Sequence, residues 1–112
     1  MTVTYKNEKT RNLCEDGKTA RKQYGDVAAR QLRKRIRTLL EADTLSDIPH
    51  TPPPRLHLLS GYTVPTYGVV VHKGFRIVLE PAERPLPLLG DGGVDKRNVR
   101  SVQIVTVEDY HG

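Results

Sequence analysis

Four histidines, His50, His57, His72 and His111, and one strand-borne arginine, Arg76, are the side chains in this sequence best suited to moving protons and offsetting negative charge. Imidazole titrates near neutrality, so two histidines can act as base and acid in cleaving a phosphodiester. His50 precedes a proline run and His72 falls at the tip of an expected hairpin, and both read as surface residues. His57 stands between Leu56 and Leu58, where a half-buried, hydrogen-bonded histidine is the plainer reading. His111 follows Glu108-Asp109-Tyr110 and taken alone is an ordinary tail residue. Arg76 alternates with Phe75 and Ile77, so it belongs to the opposite strand face. There it is either a solvent-facing cation or a guanidinium fork aimed at a phosphate. Nothing in the spacing alone brings His57 and His111 together.

Other chemistries lack their residues. No Cys/His cluster offers a metal site, and no cofactor is expected. Asp91-Gly92-Gly93 has no following Lys-Ser or Lys-Thr and reads as a turn, and no nucleophile elbow surrounds a serine. Cys14 is the only cysteine, which suits a reducing cytoplasm. The N-terminal stretch has no apolar run of signal-peptide length, and runs such as Val69-Val70-Val71 are too short to cross a bilayer, so no membrane partner is expected.

These residues have to be held by one domain, because 112 residues suit one core spanning 1–112. With aromatic content of 5% and no Trp, that core falls to Leu, Val and Ile. Val3-Thr4-Tyr5 reads as a first strand, and the segment from Glu8 to Gly25 is helix-compatible, with Gly17 and Gly25 interrupting or ending helices. Asp26 is the expected N-cap of the strongest helix, whose Ala28, Leu32, Ile36, Leu39 and Leu40 share a face. Thr44-Leu45-Ser46-Asp47 resembles a capping box, and His50 to Pro54 is a stiff loop. Strands are expected at Arg55–Leu59, Thr66–Val71, Phe75–Glu80 and Ser101–Val107, with a turn at His72-Lys73-Gly74 and a Pro/Gly-rich surface loop from Pro81 to Lys96. Val102, Ile104 and Thr106 are expected to share a face. The order β-α-α-β-β-β-β predicts an α+β fold with the helices on one face of a mainly antiparallel sheet.

Charge is uneven. Residues 1–40 hold eleven Lys/Arg against four Asp/Glu, a local excess of +7, whereas residues 41–112 hold seven against nine, or −2. Arg30, Arg33, Lys34 and Arg37 lie away from the apolar stripe of the long helix, a basic surface for a polyanion or an acidic protein, or simply a solvated face.

The second half resembles the HigB-type host-killer toxins of the RelE/ParE superfamily. The likeness is carried by Arg55-Leu56-His57-Leu58-Leu59-Ser60-Gly61, Tyr67-Gly68-Val69-Val70-Val71, Phe75-Arg76-Ile77-Val78-Leu79-Glu80-Pro81 and the ending Val107-Glu108-Asp109-Tyr110-His111. Tyr24-Gly25-Asp26-Val27-Ala28 and the basic helix agree more loosely. The resemblance implies a RelE-like fold and a metal-independent endoribonuclease that cuts messenger RNA on the ribosome, restrained by an antitoxin, expected to be a helix-turn-helix protein. It also implies a catalytic cluster of His57, Asp109, Tyr110 and His111 with Arg76 at the phosphate, and RNA contacts from Arg30, Arg33, Lys34, Arg37 and Arg55. Many relatives carry Lys where this chain has Ser60, which removes one cation from the expected site. Two other readings stand beside it: a ParE-like inhibitor of DNA gyrase, and a catalytically degenerate protein that binds an antitoxin and represses transcription with it.

Overall fold

The computed structural model describes residues 1–109. Its elements run β1 (Thr2–Tyr5), α1 (Glu8–Glu15), α2 (Gly17–Tyr24), α3 (Asp26–Glu41), β2 (His57–Leu59), β3 (Thr66–His72), β4 (Phe75–Pro81) and β5 (Ser101–Asp109). The fold is α+β, with an open five-stranded sheet in the order β1-β5-β4-β3-β2. β1 runs parallel to β5 and the other three pairings are antiparallel.

Helix boundaries follow local polar chemistry. Asn7 accepts a hydrogen bond from the Thr10 amide at 2.9 Å and opens α1. Asp16 ends α1 and opens α2, accepting from the Lys18 amide at 3.1 Å and the Thr19 hydroxyl at 2.8 Å. The segment expected to be helix-compatible as far as Gly25 is therefore two helices, so three helices precede the hairpins. The interruption expected at Gly17 is present, and Gly17 itself starts α2. At φ 86°, Gly25 closes α2 and occupies the cap position of α3. Asp26 is consequently the first helical residue and not the N-cap, because the left-handed backbone favoured by glycine makes the junction.

α3 buries Ala28, Ala29, Leu32, Ile36 and Leu39. Ala29, Leu32, Ile36 and Leu39 meet Tyr67, Val69 and Val71 of β3, Ile77 and Leu79 of β4, and Val102, Ile104 and Val107 of β5 in one core. Removing each such aliphatic side chain from water contributes roughly 1.5–3 kcal/mol. Leu40 was expected in this stripe but is exposed, since at about 100° per residue it falls just beyond the arc that Ala28, Ala29, Leu32, Ile36 and Leu39 bury. Arg35 ties α3 to the sheet by donating from Nε to the Val70 carbonyl at 2.9 Å, and burial lowers its pKa from the ordinary value.

Between α3 and β2, the capping box at Thr44 is present, with the Asp47 carboxylate accepting from the Thr44 amide at 3.0 Å. The expected strand at Arg55–Leu59 shortens to His57–Leu59, since Arg55 has left-handed backbone at φ 55°. Gly74 takes a positive φ of 74° at the β3–β4 turn.

β5 departs from simple alternation in a way that governs the site. Its partners on β4 jump from Thr106 opposite Val78 to Ile104 opposite Leu79, so Val105 is an extra residue, a β-bulge. The bulge returns Val107, and not the expected Thr106, to the core face shared by Val102 and Ile104.

Candidate active site

The sheet face turned away from the helices carries the chemistry. Opposing residues on neighbouring strands share a face, so the register places His57, Gly68, Val78 and Thr106 in one cross-strand row. Val70, Arg76 and Glu108 form the next row. His57 and Arg76 therefore look out of the same face, with one strand between their own. Standard strand spacings put their backbones about 12 Å apart, a gap that the two side chains and a phosphate can fill.

His57 is held in a defined state. Its Nδ1–H donates to the Arg55 carbonyl at 2.8 Å. A carbonyl only accepts, so the neutral ring carries its lone pair on Nε2, the atom able to take a proton. Gly68 lies directly beneath: a Cβ there would sit 2.9 Å from Cε1 and 3.0 Å from Nε2. The absent side chain is the space the imidazole uses. Arg55 itself is exposed, and left-handed backbone costs a non-glycine residue roughly 1–2 kcal/mol. Its contribution to the site is thus its carbonyl, next to an expected role in contacting RNA.

Arg76 is oriented by Glu108, which accepts from Nε at 2.7 Å, and both side chains are partly withdrawn from solvent. The expected phosphate-binding guanidinium thus has a carboxylate partner that was not singled out in the sequence. Only the bulge at Val105 puts Glu108 on this face, and no local signal in residues 101–109 reveals it. Gly68 was legible in principle, since a glycine inside a Val-rich strand marks a close approach.

Asp109 is not in this cluster. It is exposed and pairs with Phe75, on the helix side of the sheet. Tyr24 meets the Phe75 ring edge-on at 4.9 Å between centroids. Burial raises the Tyr24 pKa above its ordinary value, with the negative charge of Asp109 adding to the effect. The bulge thus exchanges the two acidic neighbours, Glu108 joining His57 and Arg76 while Asp109 faces Tyr24. Tyr110 and His111, expected catalytic residues, lie outside the described residues.

Of the five cations of α3, Arg30, Arg33, Lys34 and Arg37 are exposed, and Arg35 is the one turned to the sheet. α3 lies on the core side of the sheet, so these four form a basic surface separate from the His57–Arg76 face. Ser60 is exposed just beyond β2. Burial pushes the Cys14 thiol up to about 12, which keeps it protonated and unsuited to nucleophilic attack. Among the described residues no group of His, Cys, Asp and Glu is arranged to hold a metal ion, and no helix is long and apolar enough to cross a membrane.

No protein-family model, curated protein or solved structure matches the chain.

Proposed function

We propose that this chain is the toxin of a type II toxin–antitoxin pair, an endoribonuclease with a RelE-like fold that cuts messenger RNA on the ribosome in the cytoplasm. The observation that carries the reading is the sheet face opposite the helices, where His57, its Nδ1–H committed to the Arg55 carbonyl, shares a surface with Arg76. That pairing supplies a proton acceptor and a cation for a phosphate. His57 Nε2 takes the proton of a ribose 2′-hydroxyl as its oxygen attacks the adjacent phosphorus. Arg76 offsets the charge gathering on the phosphoryl oxygens. The bond to the 5′-oxygen breaks, leaving a 2′,3′-cyclic phosphate and a 5′-hydroxyl, and with His57 as the base its counterpart His111 returns the proton to that oxygen.

The two-sided charge distribution fits the same reading. The α3 cations address ribosomal RNA while the opposite sheet face addresses the messenger. Ribosome binding is then steeply salt-dependent through counterion release. An antitoxin, expected to carry a helix-turn-helix, restrains the enzyme by covering one of these surfaces. A gyrase inhibitor needs neither an oriented imidazole nor a paired arginine on an open sheet.

Induced expression in bacteria tests this reading against its alternatives. The expected result is arrest of protein synthesis within minutes and loss of full-length messengers, with purified protein leaving gyrase supercoiling untouched. Inhibition of supercoiling, or harmless accumulation of the folded protein, overturns the proposal.

A further inference from the structure

The proposed function uses the α3 cations only as a diffuse basic surface, but the structure gathers some of them around a defined seat. A cleft of about 210 Å³ opens between α2 and α3, lined by Gly17, Arg21, Asp26, Ala29, Arg30 and Arg33. Three guanidinium groups from two helices thus line one concavity whose only carboxylate is Asp26, which lies 3.9 Å from Arg21. Arg30 and Arg33 have no ion-pair partner among the described residues. Gly17 is what lets Arg33 reach in: a Cβ there would stand 2.3 Å from its guanidinium nitrogen. Lys34 and Arg37 continue the same exposed side of α3, since positions 30, 33, 34 and 37 fall within about 100° of helix arc. The stripe from Arg30 to Arg37 is about 10 Å long.

We propose that the α2–α3 cleft seats a backbone phosphate of RNA, held by Arg21, Arg30 and Arg33, with Lys34 and Arg37 following the strand beyond it. A tetrahedral oxyanion takes guanidinium forks from several directions, whereas a carboxylate offers two oxygens in one plane. Net positive charge in the cleft and the cationic stripe leading away from it suit a chain of regularly repeated phosphates. The inference rests on RNA being the partner of this protein, and it adds a localised seat on the side of the molecule opposite the His57–Arg76 face.

The test is binding of a fluorescent 2′-O-methyl oligoribonucleotide, which keeps its phosphates and lacks the hydroxyl needed for cleavage, measured by anisotropy over a salt series with the full chain. Arg21→Gln/Arg30→Gln/Arg33→Gln is expected to weaken binding by about tenfold or more and to lower the salt slope by about two to three. Lys96→Gln/Arg97→Gln/Arg100→Gln removes the same formal charge from exposed positions elsewhere and is expected to change affinity by less than about threefold. Gly17→Ala keeps every charge, is compatible with a helix, and moves only the flexible end of Arg33; a loss of about two- to fivefold is expected. Unchanged thermal unfolding of each variant establishes that the fold persists. Equal losses from both triple variants, or no loss from the cleft variant, overturn the seat. Cleft-dependent binding of polyglutamate as tight as that of the oligonucleotide assigns the cleft to an acidic protein instead. Saturable displacement of the oligonucleotide by inorganic phosphate at micromolar concentration assigns it to free phosphate. Messenger cleavage on ribosomes is read separately, so failure of the cleft and failure of the nuclease reading are distinguishable.

Discussion

His57→Ala is expected to slow messenger cleavage on the ribosome by about a hundredfold to ten-thousandfold, the range contributed by a positioned general base. The cost falls on chemistry because His57 is only half buried and its ring bonds to the carbonyl of Arg55, two residues away in the chain. Leu56, which is buried beside it, remains to anchor the segment. Single-turnover rates on programmed ribosomes, with circular dichroism and ribosome pelleting as controls, make the comparison. Gly68→Ala provides an independent route to the same loss: its methyl group would occupy the space of Cε1 and Nε2, so the imidazole has to leave its position while all titratable groups remain. A wild-type rate in both variants removes His57 from the mechanism.

The second large effect concerns Arg76. Arg76→Ala is expected to lower the rate by about a hundredfold to a thousandfold, as loss of one preorganised donor to a developing oxyanion does. Arg76→Lys is expected to recover little, because a lysine keeps the charge and loses both the fork and the Nε donor that Glu108 accepts. Glu108 is a positioning residue that acts through Arg76. Glu108→Gln is accordingly expected to reduce kcat by a smaller factor and leave KM nearly unchanged, and the double variant Arg76→Ala/Glu108→Gln to be no slower than Arg76→Ala alone. Additive losses in the double variant would show that Glu108 acts independently of the guanidinium, and full activity of Arg76→Ala would exclude the phosphate role.

The parts of this architecture that were legible in the sequence are those fixed by neighbours in the chain. The buried stripe of α3, the capping box at Thr44 and the positive-φ turn at Gly74 depend on spacing of three or four residues and are present as expected. The interruption at Gly17 was legible, but the order counted one helix where there are two, and the part of Asp16 in capping both was missed because two short polar segments read alike whether or not they are continuous. Parallel pairing of β1 with β5 joins residues about a hundred positions apart, which no local pattern encodes. The candidate site divides in the same way. The face of Arg76 followed from alternation with Phe75. The assignment of Glu108 and Asp109 did not, because one extra residue in β5, Val105, inverts the alternation beyond it and is set by pairing with β4. The cleft around Arg21, Arg30 and Arg33 depends on the packing of α2 against α3, so the charge count revealed a basic lobe without its concavity.

The most direct measurement incubates purified protein with a defined messenger, with and without ribosomes paused on it, and determines the new ends. The account predicts cleavage only in the presence of ribosomes, unaffected by a metal chelator in the chemical step, with a 2′,3′-cyclic or 3′-phosphate on the upstream fragment and a 5′-hydroxyl on the downstream one. A 5′-phosphate would mean that water and not the ribose hydroxyl is the nucleophile, and an intact messenger on occupied ribosomes would contradict the nuclease altogether.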